Sequence, residues 1–332
     1  MKIAVSGFRH GHMGGIVKEM HHYAQIEIVA ACEPQPEKCE NIIKNAGVTI
    51  THRNLDDMLK NVEFDALAVG DVYADRGAQV IKALEAGKHV LGDKPLCTRP
   101  EDIRRIRALA AERKRSVIVA LTLRYNAAWQ TARKLLREGA IGEVCTATVH
   151  GQHPLSYKAG RPEWYFEKGR HGGTICDLMV HGIDSLAFLT GSPVAEVVAA
   201  RAWHKEPVDV PFFQDCAQAM FRLANNAGVI MEASYKVPKG HPAPWSATFW
   251  GTLGALELNT AGVITLKKTG EPAKSVEATL LRPGNCIEDF LAETGALPGR
   301  QQELTTAESL DASEKAVLAQ AAADEGRTHQ RV

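Results

Sequence analysis

The sequence predicts an α/β protein in two parts, an N-terminal doubly wound parallel sheet and a C-terminal α+β domain with an open, mostly antiparallel sheet. In the first 120 residues, short apolar runs alternate with helical stretches, the pattern of strands covered by helices on both faces. After residue 122, strands follow one another with little helix between them, which favours an antiparallel sheet with helices on one face. We therefore expect domains at 1–122 and 123–332, with the C-terminal helix able to pack back on the first.

The first part contains five apolar runs that we predict as strands, at 2–6, 27–32, 66–69, 89–92 and 117–121. Helix start and stop signals lie between them. They predict a helix over 16–22, one opened by Pro36, one over 55–60 capped by Asn54, one over 78–86 stopped by Gly87, and one from Pro100 to about 115. Strands that alternate with helices imply right-handed crossovers and a parallel sheet.

The second part begins with two predicted helices, at 127–138 and 174–190, and then becomes rich in strands. We place the strands near 143–152, 194–204, 214–223, 228–237, 246–251, 254–259, 263–268 and 275–281. Two further helices, near 285–295 and 306–324, close the chain before a polar tail, 324–332, that we expect to fray.

Composition excludes several classes of function. The 332 residues carry 39 Lys+Arg and 39 Asp+Glu, and this net charge of zero argues against a nucleic-acid binder or a polybasic membrane anchor. No apolar run approaches the ~18 residues of a transmembrane helix, and Met1-Lys2 leads directly into a strand-like run, so we expect no signal peptide. The seven cysteines are scattered without a Cys-x-x-Cys pair, which indicates reduced thiols and a cytoplasmic location.

A glycine-rich turn follows the first predicted strand, from Gly7 to Gly15. Such a turn lets backbone N–H groups and a helix N-terminus bind a pyrophosphate. The glycines lie at relative positions 1, 5 and 8 instead of 1, 3 and 6, and Arg9 stands where the second glycine is usual. Glu33 ends the second strand, where a carboxylate can accept hydrogen bonds from ribose hydroxyls. A plain surface turn and a solubilising strand-end acid remain the alternatives.

Two motifs carry a family resemblance. The first is His89-Val-Leu-Gly-Asp93-Lys94-Pro95-Leu96, and the second is the stretch from Gly172 to Pro193, in which Asp177 and His181 are four residues apart. Both resemble signatures of the Gfo/Idh/MocA oxidoreductases, the family of glucose–fructose oxidoreductase, inositol dehydrogenase and the rhizopine-catabolism protein. Further segments of the chain fit in order, at 124–126, 138–144, 287–290 and 321–327.

The resemblance implies a Rossmann domain that binds NAD(P) and a second domain often used for oligomerisation. Lys94 would lie near the nicotinamide and the substrate hydroxyl, with Asp177 and His181 flanking that hydroxyl from the second domain. The expected cofactor contacts are Gly7, Phe8, Arg9, His10, Gly11, Glu33, Asp71, Arg76, Asp93, Lys94 and Pro95. Three departures from the family pattern concern binding: the glycine spacing, Gly70-Asp71-Val72 in place of Thr-Pro-Asn, and Asp93 in place of glutamate with Arg76 where histidine is frequent.

The expected chemistry removes a hydroxyl proton and places the carbinol hydrogen over the nicotinamide. Lys94 would stabilise the developing alkoxide, and Asp177 and His181 share a helix face at i and i+4. Asp184 could hydrogen-bond one imidazole nitrogen of His181. As alternatives, Asp177 could close a capping box with Thr174, and His181 could be a structural histidine.

The polar and aromatic segment 150–166 is the candidate for substrate recognition, with packing at a subunit interface as the alternative. The expected substrate contacts are Lys94, Asn126, His153, Arg161, Trp164, Asp177 and His181. We predict no metal, because His-Glu-x-x-His is absent and His10 and His12 lie in the glycine-rich turn rather than beside carboxylates.

Together these features predict an NAD(P)-dependent dehydrogenase acting on a secondary alcohol of a sugar, inositol or related polyol. NAD is expected to be preferred over NADP because of Glu33. The predicted partners are the small-molecule substrate and further copies of the chain, as a dimer or tetramer. The alternatives are an NAD-dependent glycosidase of the same family and a non-catalytic sensor that binds NAD(P) or a sugar.

Overall fold

The computed structural model describes residues 1–326 and 330–331 and divides the chain into two compact units. The first unit comprises Met1–Ala120, Pro162–Gly172 and Asn285–Ser313, and the second comprises Leu121–Arg161, Gly173–Gly284 and Glu314–Val332. The division after Ala120 lies within two residues of the boundary predicted from the sequence. The two later segments of the first unit have no counterpart in a simple split at residue 122.

The first unit is built on a parallel sheet. Its strands are β1 (Lys2–Ser6), β2 (Glu27–Cys32), β3 (Ala66–Val69), β4 (His89–Gly92) and β5 (Val117–Val119). Its helices are α1 (His12–Met20), α2 (Glu40–Ala46), α3 (Leu55–Asn61), α4 (Tyr73–Glu85) and α5 (Pro100–Arg113), with a short 3-10 helix at Pro36–Lys38. The strands lie in the order β2-β1-β3-β4-β5, and every neighbouring pair is parallel. The predicted doubly wound class is confirmed.

Local signals set most element ends of the first unit. The Asn54 side chain accepts hydrogen bonds from the backbone N–H groups of Asp56 and Asp57, so it caps α3 as predicted. Gly87 has a φ of +72° just after α4, the left-handed conformation that ends many helices. Helix α4 begins at Tyr73, five residues before the predicted start. The charged residues of its first turn hide that turn from an apolar pattern.

The second unit contains a mostly antiparallel sheet. Its helices are α6 (Ala127–Arg137) and α7 (Val180–Thr190), the latter preceded by a π-helical turn at Ile175–Met179. Its strands are β6 (Val144–Gln152), β7 (Val194–Trp203), β8 (Cys216–Leu223), β9 (Gly228–Ser234), β10 (Trp245–Gly251), β11 (Gly254–Asn259), β12 (Ile264–Lys268), β13 (Lys274–Ser275) and β14 (Gln330–Arg331). Over the residues with described backbone, the sheet order is β13-β12-β11-β10-β6-β9-β8-β7-β14, and β6–β9 is its parallel pair.

One face of this sheet is covered and the other is open. In β6, Ala147 and Val149 are buried while their neighbours are partly or fully exposed. Gly182 of α7 lies so close to the covered face that an added Cβ would come within 2.8 Å of Met231. On the opposite face, Met220 and Ile230 are exposed apolar residues. The prediction of helices on one face of an open sheet is confirmed.

The predicted strand at 275–281 is wrong beyond Ser275. Val276 still donates to the carbonyl of Ile264 in β12, but from Thr279 the backbone bonds to side chains of α6 instead of to a neighbouring strand. Thr131 Oγ1 accepts from the N–H of Thr279 at 2.8 Å, and Gln130 accepts from the N–H of Arg282 at 2.7 Å. These side-chain partners satisfy the chain without a sheet ladder.

The end of the chain differs in part from the expected frayed tail. Helices α8 (Cys286–Glu293) and α9 (Thr306–Asp324) match the prediction closely. In the first unit, Ser309 Oγ accepts from the N–H of Val119, so the first turns of α9 are tied to the edge strand β5. Residues 330–331 pair with β7, which contradicts fraying there, and 327–329 and 332 lie outside the described residues. Among the described helices, none has the length and apolar character that crossing a membrane requires.

Candidate active site

The glycine-rich turn connects β1 to α1 in the first unit. Gly7 has a φ of +82°, and an added Cβ would lie 2.5 Å from Cβ of Asp71, so only glycine fits this close approach. Gly11 is exposed, has open space around it and caps α1. The turn lies at the carboxyl ends of β1 and β3, where the strand order reverses, the usual ligand position in such sheets. The geometry therefore fits the predicted cofactor turn.

Glu33 is buried beneath this turn. Its carboxylate accepts hydrogen bonds from the N–H of Phe8 at 2.8 Å and of Gln35 at 3.0 Å, and the residue is 1% exposed. Burial raises the pKa of Glu33, and the two backbone N–H groups act in the opposite direction. Glu33 thus shapes the turn itself, and its predicted ribose contact stays a prediction.

Arg9 remains partly exposed at the tip of the turn. Its guanidinium donates to Oε1 of Gln35 at 2.9 Å, and its backbone carbonyl accepts from Nε1 of Trp164 at 2.9 Å. Of the charged side chains predicted to meet the cofactor from the turn, Arg9 is the one that solvent reaches. It is therefore the best placed of them to contact a phosphate.

A buried ionic cluster lies behind the turn. Asp93 receives a hydrogen bond from Nη2 of Arg76 at 2.8 Å, and its oxygens contact Nδ1 of His10 at 2.5 Å and Nδ1 of His12 at 3.0 Å. The other Arg76 donors go to the carbonyls of Gly70, Asp71, Lys94 and Pro95. Arg76, His10 and Asp93 are thus buried and engaged inside the unit, and their predicted contacts with the cofactor stay predictions.

The same cluster corrects the reasoning on metals. Within the described part of the chain, His10, His12 and Asp93 form the group of potential ligands close enough together to hold a metal ion. The expectation that the two histidines lie away from carboxylates is therefore wrong. Arg76 already compensates the charge of Asp93, which disfavours a further cation there. The absence of a bound metal stays a prediction.

Lys94 follows Asp93 at the carboxyl end of β4. It is 4% exposed, and its Nζ lies 6.0 Å from the ring centre of Tyr73. The carbonyls of Lys94 and Pro95 accept from the buried Arg76 at 2.6 and 3.1 Å. A buried guanidinium therefore fixes the backbone that carries the predicted catalytic lysine.

Asp71 lies between the turn and α4. Its carboxylate accepts from the N–H of Val72 at 2.7 Å and from Nε2 of Gln79 at 2.6 Å. Burial raises the pKa of Asp71, opposed by these two hydrogen bonds. Because both bonds lie inside the unit, a cofactor contact by this side chain stays a prediction.

In the second unit, Asp177 lies in the π-helical turn and His181 in the first turn of α7. Asp177 is 1% exposed, and its Oδ2 accepts a short hydrogen bond from the hydroxyl of Tyr235. The ring of His181 packs edge-on against Trp245, with centroids 5.3 Å apart. A π turn inside an α-helix is frequent at functional sites.

His153 and Arg161 lie close to the same tyrosine. Nη2 of Arg161 is 2.8 Å from Nδ1 of His153, and the guanidinium carbon is 5.5 Å from the ring centre of Tyr235. The same Nδ1 also lies 2.9 Å from the carbonyl oxygen of Pro154, so it faces both a guanidinium, which can only donate, and a carbonyl, which can only accept. The structure thus groups three of the predicted substrate contacts, Asp177, His153 and Arg161, around Tyr235.

Two other predicted substrate contacts have structural roles. The Asn126 side chain accepts from the N–H of Ala128 at 2.9 Å and so caps α6. Trp164 belongs to the first unit, where it is buried and donates to the carbonyl of Arg9. The predicted substrate contacts of Asn126 and Trp164 stay predictions.

One alternative is removed and one hydrogen-bond prediction stays open. Both oxygens of Asp184 bind the buried guanidinium of Arg124 at 2.7 to 2.9 Å, and its predicted bond to His181 stays a prediction. Thr174 donates to the carbonyl of Gln214 and does not form a capping box, which removes that alternative for Asp177.

Sequence reasoning missed Tyr235 and Tyr73. Tyr235 follows the end of β9, far along the chain from Asp177, and no motif contains it. Tyr73 opens α4 and bonds to His10 at 3.1 Å. The signal that could have found Tyr73 is its place directly after β3, at the sheet edge where ligands bind.

Comparison with known proteins defines the class. Residues 1–121 match the family model described as an oxidoreductase family with an NAD-binding Rossmann fold, and residues 129–257 match the GFO/IDH/MocA C-terminal domain. The chain therefore belongs to the GFO/IDH/MocA oxidoreductase family, with an NAD-binding Rossmann domain at its N-terminus.

Individual relatives are distant. The 1,5-anhydro-D-fructose reductase of Ensifer adhaerens is 29% identical over 176 residues, 52% of each chain. The scyllo-inositol 2-dehydrogenase (NAD(+)) of Bacillus subtilis is 24% identical over 244 residues, 70% of this chain and 66% of the relative. An oxidoreductase structure from Thermotoga maritima superposes with a TM-score of 0.86 at 25% identity and full coverage of both chains. The chain spans about half the length of the first curated relatives it matches.

Proposed function

We propose that this protein is an NAD-dependent dehydrogenase that exchanges a hydride with a secondary alcohol of a sugar, inositol or related polyol. The observation that carries the proposal is the group around Tyr235, where the buried carboxylate of Asp177 accepts the tyrosine hydroxyl. A buried carboxylate with a fixed donor is typical of a side chain that handles a proton. The names of the reductase and the inositol dehydrogenase support the substrate class.

The residues of the first unit fit the cofactor. The close approach of the chain at Gly7 and the open space at Gly11 leave room for a pyrophosphate at the start of α1. Arg9 is placed to pair with its charge, and Glu33 lies at the end of β2, where a ribose is bound in this fold. When bound, the nicotinamide supplies the hydride chemistry.

The protein's own side chains divide the remaining work. The ammonium of Lys94 stabilises negative charge on the substrate oxygen as its proton leaves. His181 accepts that proton, and Asp177, held by Tyr235, orients the hydroxyl through its second oxygen. The guanidinium of Arg161 supplies donors, and the ring of His153 a further polar group, that suit neighbouring hydroxyls of a polyol.

The test is a screen for NADH formation with purified protein across inositols, aldoses, sugar acids and amino sugars. A dehydrogenase gives NADH with at least one class, and Lys94→Met lowers its turnover by about 100-fold or more, the scale of losing a charge-stabilising group. Binding of NADH without turnover of any substrate would instead indicate a sensor. Sugar cleavage without net NADH would indicate the glycosidase chemistry.

We also propose a cytoplasmic location and self-association. All seven cysteines are free thiols, six of them buried, as expected for a reducing compartment. The open sheet face presents Met220, Ile230 and Trp250, each about half exposed, and such apolar patches favour association. Sedimentation analysis of the wild type and of Ile230→Glu tests this, and a monomeric wild type contradicts it.

A further inference from the structure

A chain of hydrogen-bonded side chains runs through the first unit behind the glycine-rich turn. Asp93 contacts Nδ1 of His10 at 2.5 Å, Nε2 of His10 lies 3.1 Å from the hydroxyl of Tyr73, and that hydroxyl makes a short bond with the hydroxyl of Tyr165. All four side chains are buried. The chain therefore links the end of β4, the turn, the start of α4 and the segment 162–172.

The charge of Asp93 fixes the direction of every bond. Burial acts to raise the pKa of Asp93, but the positive charge of Arg76 and the contacts with the histidines hold it well below the usual range. Burial lowers the pKa of His10 to about 3, against the opposing pull of Asp93. His10 is therefore neutral and donates from Nδ1 to Asp93. Its Nε2 then accepts from Tyr73, whose oxygen accepts from Tyr165.

The segment 162–172 holds the turn at a second point. Trp164, next to Tyr165, donates to the carbonyl of Arg9 at 2.9 Å. The segment is anchored on α4 by the bond from the N–H of Ala74 to the carbonyl of Arg170 at 3.1 Å and by the ion pair of Arg170 with Asp75 at 2.8 Å. The turn is thus held at two neighbouring points, the backbone carbonyl of Arg9 and the side chain of His10.

We propose that His10 is a positioning residue that sets the shape of the cofactor turn through its bonds to Asp93 and Tyr73. In a regularly spaced glycine turn, the backbone alone can adopt the shape that a pyrophosphate needs. Here Arg9 occupies the second glycine position, and side-chain bonds hold the turn from behind. The inference rests on the proposed NAD-dependent function and deepens it. Cofactor affinity, more than the rate of the chemical step, depends on His10.

The test measures the Kd of NADH by fluorescence titration, with kcat at saturating cofactor, for the full-length chain and its variants. His10→Asn places an amide near Nδ1 and keeps a donor to Asp93 alone, whereas His10→Leu removes both bonds. Tyr73→Phe removes only the hydroxyl and keeps the ring packing. His22→Gln is the matched control, since the side chain of His22 is 65% exposed beyond the end of α1.

We expect His10→Leu to raise the Kd of NADH by about tenfold or more, the scale of ~1.4 kcal/mol, while kcat changes less than threefold. His10→Asn and Tyr73→Phe give intermediate increases. The double variant His10→Leu/Tyr73→Phe binds NADH no more weakly than His10→Leu alone, because the Tyr73 hydroxyl acts on the turn through His10. Circular dichroism of each variant checks that the fold is retained. The control keeps the wild-type Kd.

Two results overturn the inference while the proposed function stands. One is a folded His10→Leu variant that binds NADH within twofold of the wild type. The other is full additivity of His10→Leu and Tyr73→Phe, which would show that they act through separate contacts. A wild-type protein that binds no NADH overturns the proposed function itself, and this inference with it.

Discussion

Acidification should destabilise this protein through one buried histidine. His10 is 5% exposed, and its pKa falls from 6.5 to about 3. The main cause is burial, which disfavours the imidazolium, and the negative charge of Asp93 acts in the opposite direction. A depressed folded-state pKa means that the unfolded chain binds the proton first. The stability that neutral His10 contributes is therefore complete above pH 6.5 and is lost as the pH falls toward 3.

The size of the loss follows from the distance in pH. At pH 4.5 the unfolded chain holds the proton two pH units below its pKa of 6.5, while the folded chain still excludes it. At about 1.36 kcal/mol per unit, His10 alone removes ~3 kcal/mol of unfolding free energy relative to neutral pH. That loss is a substantial share of the ~5–15 kcal/mol by which proteins are stable.

The assay is urea denaturation at pH 7.0 and pH 4.5 for the wild type, His10→Asn and the exposed control His22→Asn. His10→Asn cannot titrate, so the wild type and the control should each lose about 3 kcal/mol more than this variant does on acidification. NMR titration, with the His10 resonance assigned from its absence in the variant, should show a neutral imidazole down to pH 4. Parallel losses in all three proteins, or a His10 signal that titrates near 6, would refute the reasoning.

Three further outcomes are expected. Tyr235→Phe removes the donor to Asp177 and should lower kcat/KM by about tenfold or more, since a hydrogen bond to a charged group contributes roughly 1.5–3 kcal/mol. An unchanged kcat/KM in steady-state kinetics contradicts the role given to this pair. Arg124→Met should cost about 3–5 kcal/mol in urea unfolding because it leaves Asp184 buried without its cation. Asp184→Asn in the same chain should restore part of this loss, and no recovery contradicts the pairing. NADH should bind at least about tenfold more tightly than NADPH, since Glu33 repels an added phosphate. Equal Kd values for the two cofactors in fluorescence titrations would contradict this.

Much of the fold could be predicted from the sequence, because buried segments appear in it as runs of apolar residues. Most residues of the five strands of the parallel sheet are buried, so each strand shows as an apolar run, and four of them match their predicted bounds. Errors occur where side chains replace the usual pattern. The predicted start of helix α4 is too late, because its first turn includes the buried Arg76, which a hydropathy pattern assigns to the surface. The strand predicted to run to residue 281 ends early, because side chains of α6 bind the backbone at Thr279 and Arg282.

Residues of the candidate site could be predicted only where they lie within one sequence motif. Lys94, Asp177 and His181 stand in contiguous motifs, so the sequence could select them. The burial of His10 could not be predicted, because it depends on Asp93, 83 residues away along the chain. Tyr235 is likewise 58 residues from Asp177, and no local signal connects them. Residues that meet only through tertiary folding show no regular spacing in the sequence from which their contact could be predicted.

The assembly of the first unit from three separate stretches of chain limits how this protein can be taken apart or recombined. A fragment ending near residue 120 would lack Trp164 and Tyr165, and would expose the aromatic side of Tyr73 to water. A chimera that exchanges only residues 1–120 would set a foreign turn against the native 162–172 segment. Grafting a different nucleotide preference onto this scaffold therefore requires the 162–172 segment to be transferred together with the N-terminal residues.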